Sequence, residues 1–151
     1  MNIINTDQAK KAVFSFVGFK IKNFTFAEPE NDEINLSIKF EPTGSYNLND
    51  GVFILVLDFK ATYGNSDEST LISISLKSVF KFEDKPSLEE IPSYFYRNSI
   101  AIVFPYVRAF VTTLTSVSNV KPLILPILNL GGLEQILKDN TSLMTHDVPV
   151  T

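Results

Sequence analysis

The sequence predicts an α+β fold, a four-stranded antiparallel sheet followed by a long helix and a short C-terminal helix, in a single domain spanning 1–151. Three observations lead there. Four stretches between residues 13 and 82 alternate apolar and polar side chains with the period of two that suits strands, and turn-forming residues separate them. Residues 100–117, IAIVFPYVRAFVTTLTSV, are apolar or hydroxyl-bearing apart from Arg108 and repeat with a helical period. After them Pro122, Pro126 and the pair Gly131-Gly132 break the pattern before a last short apolar segment, 133–137. Strands first and helices afterwards is the order of folds whose helices gather on one face of a sheet.

The first strand covers 13–26, where Phe14, Phe16, Lys20, Lys22 and Phe24 mark the alternation and Gly18 is a natural bulge site. A loop follows, AEPENDE, whose four carboxylates read as a solvated crossover. In the second strand Ile34, Leu36, Ile38 and Phe40 oppose Asn35, Ser37, Lys39 and Glu41, and the PTG triplet at 42–44 reads as its closing turn. The third, VFILVLDFKATY, is apolar on both faces at its start, so that end is expected to be covered on both sides. In the fourth, Ile72, Ile74 and Leu76 oppose Ser73, Ser75 and Lys77. The charged, proline-containing segment 83–95 then reads as a solvent-facing connection.

On a helical wheel, Phe104, Tyr106, Val107, Phe110, Val111, Leu114 and Val117 fill an arc of roughly 160°, wider than the usual core stripe. The opposite arc carries Ala109, Thr112, Thr113, Thr115 and Ser116, where a solvated helix would carry Lys and Glu. Small side chains admit another backbone, so a second packing partner is expected there. Pro105 belongs either to the first turn of this helix or to a kink within it. The run VKPLILPILNLGG at 120–132, divided by Pro122 and Pro126, is expected to be an extended crossing segment, and the ends, 1–12 and 141–151, to be flexible.

Composition narrows the function. With 44% hydrophobic residues, thirteen Phe and no Cys among 151 residues, the chain suits a well-filled domain without disulfides, thiolate nucleophiles or the usual structural zinc. A net charge of −4, a pI near 5.0 and no basic block argue against nucleic acid. The N-terminal residues do not resemble a signal peptide, and the long apolar segment is too polar for a bilayer span, so a cytoplasmic protein is expected. His146, the single histidine, stands beside Asp147 near the C-terminus with no partner for acid–base work. The acidic clusters sit in turns without the spacing of a calcium loop, and phosphate-loop, nucleophile-elbow and dinucleotide motifs are absent. No enzyme, metal or cofactor is expected. What stands out is excess apolar surface, which suits assembly with other copies or capture of extended polypeptide.

The segment Ile102-Val103-Phe104-Pro105-Tyr106-Val107-Arg108, continued by Thr112, Leu114 and Ser116, resembles the ILFPYAR segment that opens the long helix of the SecB protein-export chaperones. Further matches are Phe24-Thr25-Phe26 with Pro29, the VFILVLDFKAT strand, and Pro122, Leu125 and Asn129, in the family's order. The resemblance, over about 16–133, implies a dimer of dimers with the long helices sandwiched between sheets, and ATP-independent holding of unfolded clients in a long apolar groove. It would place Ile72, Ile74, Leu76, Leu130, Leu133 and Leu137 in that groove, and Ala109, Thr112, Thr113 and Ser116 at the interface between subunits. Ser73 and Ser75 stand where the family carries carboxylates for docking the translocase motor, and the tail TSLMTHDVPVT lacks an acidic run, so that docking is not implied. Other functions compatible with the residues are a small-molecule or lipid-binding domain, a structural interaction module, and a chaperone of a dedicated partner such as an antitoxin.

Overall fold

The computed structural model describes residues 13–28, 36–63, 70–125 and 129–144. Strands β1 (Phe14–Phe26), β2 (Leu36–Asn47), β3 (Val52–Tyr63) and β4 (Thr70–Phe82) lead through a 3-10 turn at Leu88–Glu90 into helix α1 (Ser93–Val117). Helix α2 (Leu133–Asp139) and strand β5 (Thr141–Leu143) complete the fold. The sheet order is β1-β4-β3-β2-β5. The first four strands pair antiparallel and β5 joins β2 in parallel, so the expected sheet gains a fifth strand and becomes mixed.

That fifth strand corrects the expectation of a flexible end from residue 141. The Thr141 hydroxyl donates to Leu137 O at 2.6 Å, Gly44 N–H donates to Asn140 O at 3.2 Å, and Met144 N–H donates to Tyr46 O at 2.8 Å. Three residues are too few to display a period, which is why the strand is invisible in the sequence. Residues 1–12 and 145–151, with His146, lie outside the described residues.

The PTG triplet is not a turn either. β2 runs through it without a break, with Pro42 opposite Leu57 and Gly44 opposite Leu55. Proline is tolerated in an edge strand when its nitrogen faces away from the neighbouring strand. A Cβ at Gly44 would meet Thr141 Oγ1 at 2.5 Å and the Phe53 ring at 2.6 Å, so the glycine makes room for both neighbours. The hairpin turn comes later, at 48–51, where Asp50 Oδ1 accepts from Val52 N–H at 3.2 Å and Gly51 adopts φ +71°. β1 carries the expected register shift between Phe16 and Gly18, and a second between Ile21 and Asn23.

One sheet face packs against α1. Phe53, Leu55, Leu57 and Phe59 of β3, with Ile72, Ile74, Leu76, Phe80 and Phe82 of β4, meet Phe95, Ile100, Val103, Val107 and Val111 in one core. Phe95 sits at its aromatic centre, with ring centroids 4.7 Å from Phe53, 4.8 Å from Phe82 and 4.9 Å from Phe14. The helix therefore begins at Ser93, well before residue 100. Pro92 stops the preceding extended segment and the buried aromatic residues behind it override the charged context. Pro105 lies inside the helix, where it removes the bond to Ala101, a solvent-exposed residue. On the opposite sheet face Val52, Ile54 and Val79 are buried in a second cluster with Val56 and Met144 against it. The start of β3 is thus covered on both sides, as its two-faced apolar sequence predicts.

Candidate functional site

The small-residue side of α1 is covered in part by the chain itself. Thr112 Oγ1 donates to Leu123 O at 3.1 Å, while Leu123 N–H donates to Thr115 Oγ1 at 2.9 Å. Both main-chain groups of Leu123 are thereby held, and Leu125 two residues on is fully buried in the core. Thr115 is only 2% exposed, so the buried arc of α1 is turned toward it and away from Tyr106 and Val117, which are exposed. Residues 121–125 thus form a strap along one flank of the helix; residues 126–128 of the expected crossing segment lie outside the described residues.

The four predicted interface residues divide accordingly. Ala109 and Thr113 are exposed, Ser116 is exposed with its hydroxyl donating back to Thr112 O at 2.8 Å, and Thr112 is half-buried under the strap. The six predicted groove residues also divide. Ile72, Ile74, Leu76 and Leu137 are fully buried in the protomer core, whereas Leu130 and Leu133 are partly buried at its margin. The alternation of strand four marks one face, and that face is the one closed by α1, so those three side chains are inaccessible while the protomer is intact.

Among the described residues, apolar side chains stand exposed along the β1 flank and half-buried along the β2 flank. Along the β1 flank Phe19 stacks on Tyr106 with centroids 4.2 Å apart, and Phe24 meets Phe110 edge-on at 5.2 Å. Phe19, Phe24 and Tyr106 all keep large exposed areas, as does Val17 in the first bulge. Sequence periodicity places Tyr106 in the core arc and gives no sign of this ledge, because a bulged edge strand does not keep its alternation. Along the β2 flank Leu36, Ile38 and Phe40 are half-buried, with Phe40 packed on Phe59 at 5.1 Å and on Phe104 at 5.6 Å. Leu130 and Leu133 belong to the same apolar body, and α2 is tied to α1 by Arg97 Nε donating to Glu134 at 3.0 Å.

The outer sheet face carries a different character. Lys39 stands opposite Lys60 and Glu41 opposite Asp58, two like-charged rungs of opposite sign, with Ser73 and Ser75 on the neighbouring strand and Lys77 facing Lys20 beyond them. Tyr46 and Tyr96 have hydroxyl pKa values raised above 10 by burial, that of Tyr46 also by the charges of Asp50 and Glu90. The Tyr46 hydroxyl donates to Pro86 O at 2.6 Å, which holds the connection into α1. Among the described residues no three His, Asp or Glu side chains converge where they could hold a metal ion.

This geometry has counterparts among known proteins. The fold is similar to that of the Mycobacterium tuberculosis SecB-like chaperone Rv1957, solved in complex with a ChAD peptide from the HigA1 antitoxin. The TM-score is 0.63 at 19% identity, over 77% of this chain and 88% of that one. The arrangement is therefore the SecB-like chaperone fold. In sequence, the chain is 27% identical over 139 residues to the protein-export protein SecB of Magnetococcus marinus, covering 84% of this chain and 87% of the relative. It is 29% identical over 144 residues to an uncharacterized protein of Methanocaldococcus jannaschii, covering 87% and 91%. No protein-family model matches. Fold and sequence agree, and the chain is SecB-like.

Proposed function

We propose that this protein is a cytoplasmic, non-enzymatic holdase that keeps non-native polypeptides from aggregating without nucleotide. The observation that carries the proposal is the persistence of two apolar flanks, at β1 and at β2, on a protomer of SecB-like fold whose core is already complete. The β1 flank, with Val17, Phe19, Phe24 and Tyr106 beside Ala109 and Thr113 of α1, is the subunit-packing surface of a dimer of dimers. The β2 flank, with Leu36, Ile38, Phe40, Leu130 and Leu133, is the client groove. Of the residues expected from the family resemblance, Leu130 and Leu133 keep that role, while Ile72, Ile74, Leu76 and Leu137 support the groove from the core beneath.

The outer face, where Lys20, Lys39, Lys60 and Lys77 outnumber Glu41 and Asp58 and where Ser73 and Ser75 carry no charge, offers a translocase motor no acidic surface, so delivery to export is not part of the proposal. The solved neighbour holds an antitoxin peptide, and that observation favours, as a second reading, a chaperone devoted to one such partner. A ligand-binding cavity between sheet and helix is disfavoured because Phe53, Phe80, Phe82 and Phe95 fill that space.

A chemically denatured client diluted with a stoichiometric amount of this protein, without nucleotide, should stay clear by light scattering. Turbidity equal to that of the client alone would sink the proposal. Suppression confined to one partner and absent for several unrelated clients would favour the dedicated chaperone.

A further inference from the structure

The outer sheet face carries charge in two adjacent rungs. Lys39 on β2 stands opposite Lys60 on β3, and two residues along the same strands Glu41 stands opposite Asp58. Phe40 and Phe59, between them in sequence, pack on the core side, so all four charged side chains lie on the face away from α1. Lys39, Glu41 and Asp58 are exposed and Lys60 is half-buried. Among the described residues Lys39, Glu41 and Asp58 take part in no ion pair or side-chain hydrogen bond. Like charges directly opposite each other on one face destabilise a sheet. Each rung therefore destabilises the isolated protomer, offset only in part by the opposite rung about 7 Å along the strands. A surface that sets opposite charge over each rung relieves both.

We propose that this face pairs with the same face of a second copy of the chain, the lysine rung of each lying over the acidic rung of the other. The proposal is independent of the holdase reading. A two-fold axis between the two faces, running across the strands midway between the rungs, exchanges the rungs. Lys39 then meets Glu41 of the second copy and Lys60 meets its Asp58, with both contacts repeated by the symmetry. An axis through either rung sets like charge on like charge, which excludes those registers. Lys77, opposite Lys20 in the next charged row, comes to lie over the row of Thr62 and Thr70. Sheets packed face to face lie about 10 Å apart, a gap that a lysine and a carboxylate side chain bridge together. The short side chains of Ser73 and Ser75 leave a depression of about 220 Å³ beside the rungs, which gives the facing lysines room. Four rows across four strands span roughly 500 Å² on each copy, less than the about 800 Å² per partner of a stable dimer. Pairing is thus weak, reversible and concentration-dependent. Because it uses the face opposite α1, it adds to any assembly made along α1.

Sedimentation velocity of the full chain over rising concentration, in about 25 mM and about 500 mM salt, reads the pairing. In low salt the mass should rise above that of the basal assembly, and high salt should weaken this step at least tenfold, since screening shortens the reach of charge. Lys39→Glu with Lys60→Glu, and separately Glu41→Lys with Asp58→Lys, should each hold the basal mass at every concentration. Mixed in equal amounts, the two variants should associate again, more tightly than the parent. Exchange of all four charges in one chain keeps both the net charge and the complementarity, so it should self-associate as the parent does. That variant decides the matter where a double variant fails to fold, and its loss of association overturns the proposal. A parent of constant mass, double variants that associate as the parent does, or a folded mixture that stays at the basal mass also overturns it. Constant mass with shifted Lys39 and Lys60 amide signals on adding polyglutamate overturns self-pairing too, since the occupant is then a foreign acidic chain.

Discussion

Replacing Thr115 by valine isolates the contact that makes the strap part of the protomer. The two side chains have nearly the same shape, so packing at this site, 2% exposed, is preserved. What is lost is the acceptor for Leu123 N–H at 2.9 Å, together with the hydroxyl's back-bond to Val111 O at 3.0 Å. The Val111 carbonyl keeps the α-helical bond available to it, but the Leu123 amide is left without its partner. A buried unsatisfied amide costs about 1–3 kcal/mol. For a chain of this length that corresponds to a fall in melting temperature of about 2–12 °C. Urea unfolding at one fixed protein concentration measures the loss, since any assembly makes stability concentration-dependent. Exchange of the Leu123 amide should accelerate in parallel. A surface substitution that removes no such contact stays within about 0.5 kcal/mol of the parent. Stability of Thr115→Val within that same margin, with the Leu123 amide still protected, would refute the strap as a structural element of α1.

The remaining predictions concern assembly, core and pH. Thr113→Lys or Ala109→Lys should shift the solution mass measured by light scattering from tetramer toward smaller species with circular dichroism unchanged, because an unpaired ammonium is costly to bury; an intact tetramer in both variants contradicts the assigned interface. Phe95→Ala should lose about 3–5 kcal/mol in urea unfolding, since a fully buried ring touching Phe14, Phe53 and Phe82 leaves a void that a sheet and helix cannot close. Because Tyr46 resists ionisation in the folded state, its contribution is fully present below pH 10 and is lost as pH rises through the raised folded value. Tyr46→Phe should cost about 0.5–1.5 kcal/mol at neutral pH and make the alkaline decline shallower.

β4 and the first half of β2 were legible because each keeps a period of two over enough residues to display it, as Ile72, Ile74 and Leu76 do against Ser73, Ser75 and Lys77. Legibility ended where position in the sheet decides the outcome. Pro42 and Gly44 carry a turn signature, yet they continue β2 because an edge strand tolerates the proline and Phe53 needs the space at the glycine. Phe95 stands among charges and prolines, and nothing local reveals that it closes the aromatic core. Of the small-residue arc of α1, Thr112 and Thr115 meet the chain's own segment at Leu123, and periodicity does not tell such a partner from another subunit. For the same reason periodicity does not show that Ile72, Ile74, Leu76 and Leu137, carried over from the resemblance, are buried in the protomer core. The β1 ledge was hidden by bulges that disrupt the alternation.

The central claim is that the protein distinguishes non-native from native polypeptide. Fluorescence anisotropy of one labelled client protein, titrated in its unfolded and folded forms without nucleotide, measures this directly. Saturable binding of the unfolded form with no binding of the folded form is predicted; equal binding of both, or none of either, contradicts the account.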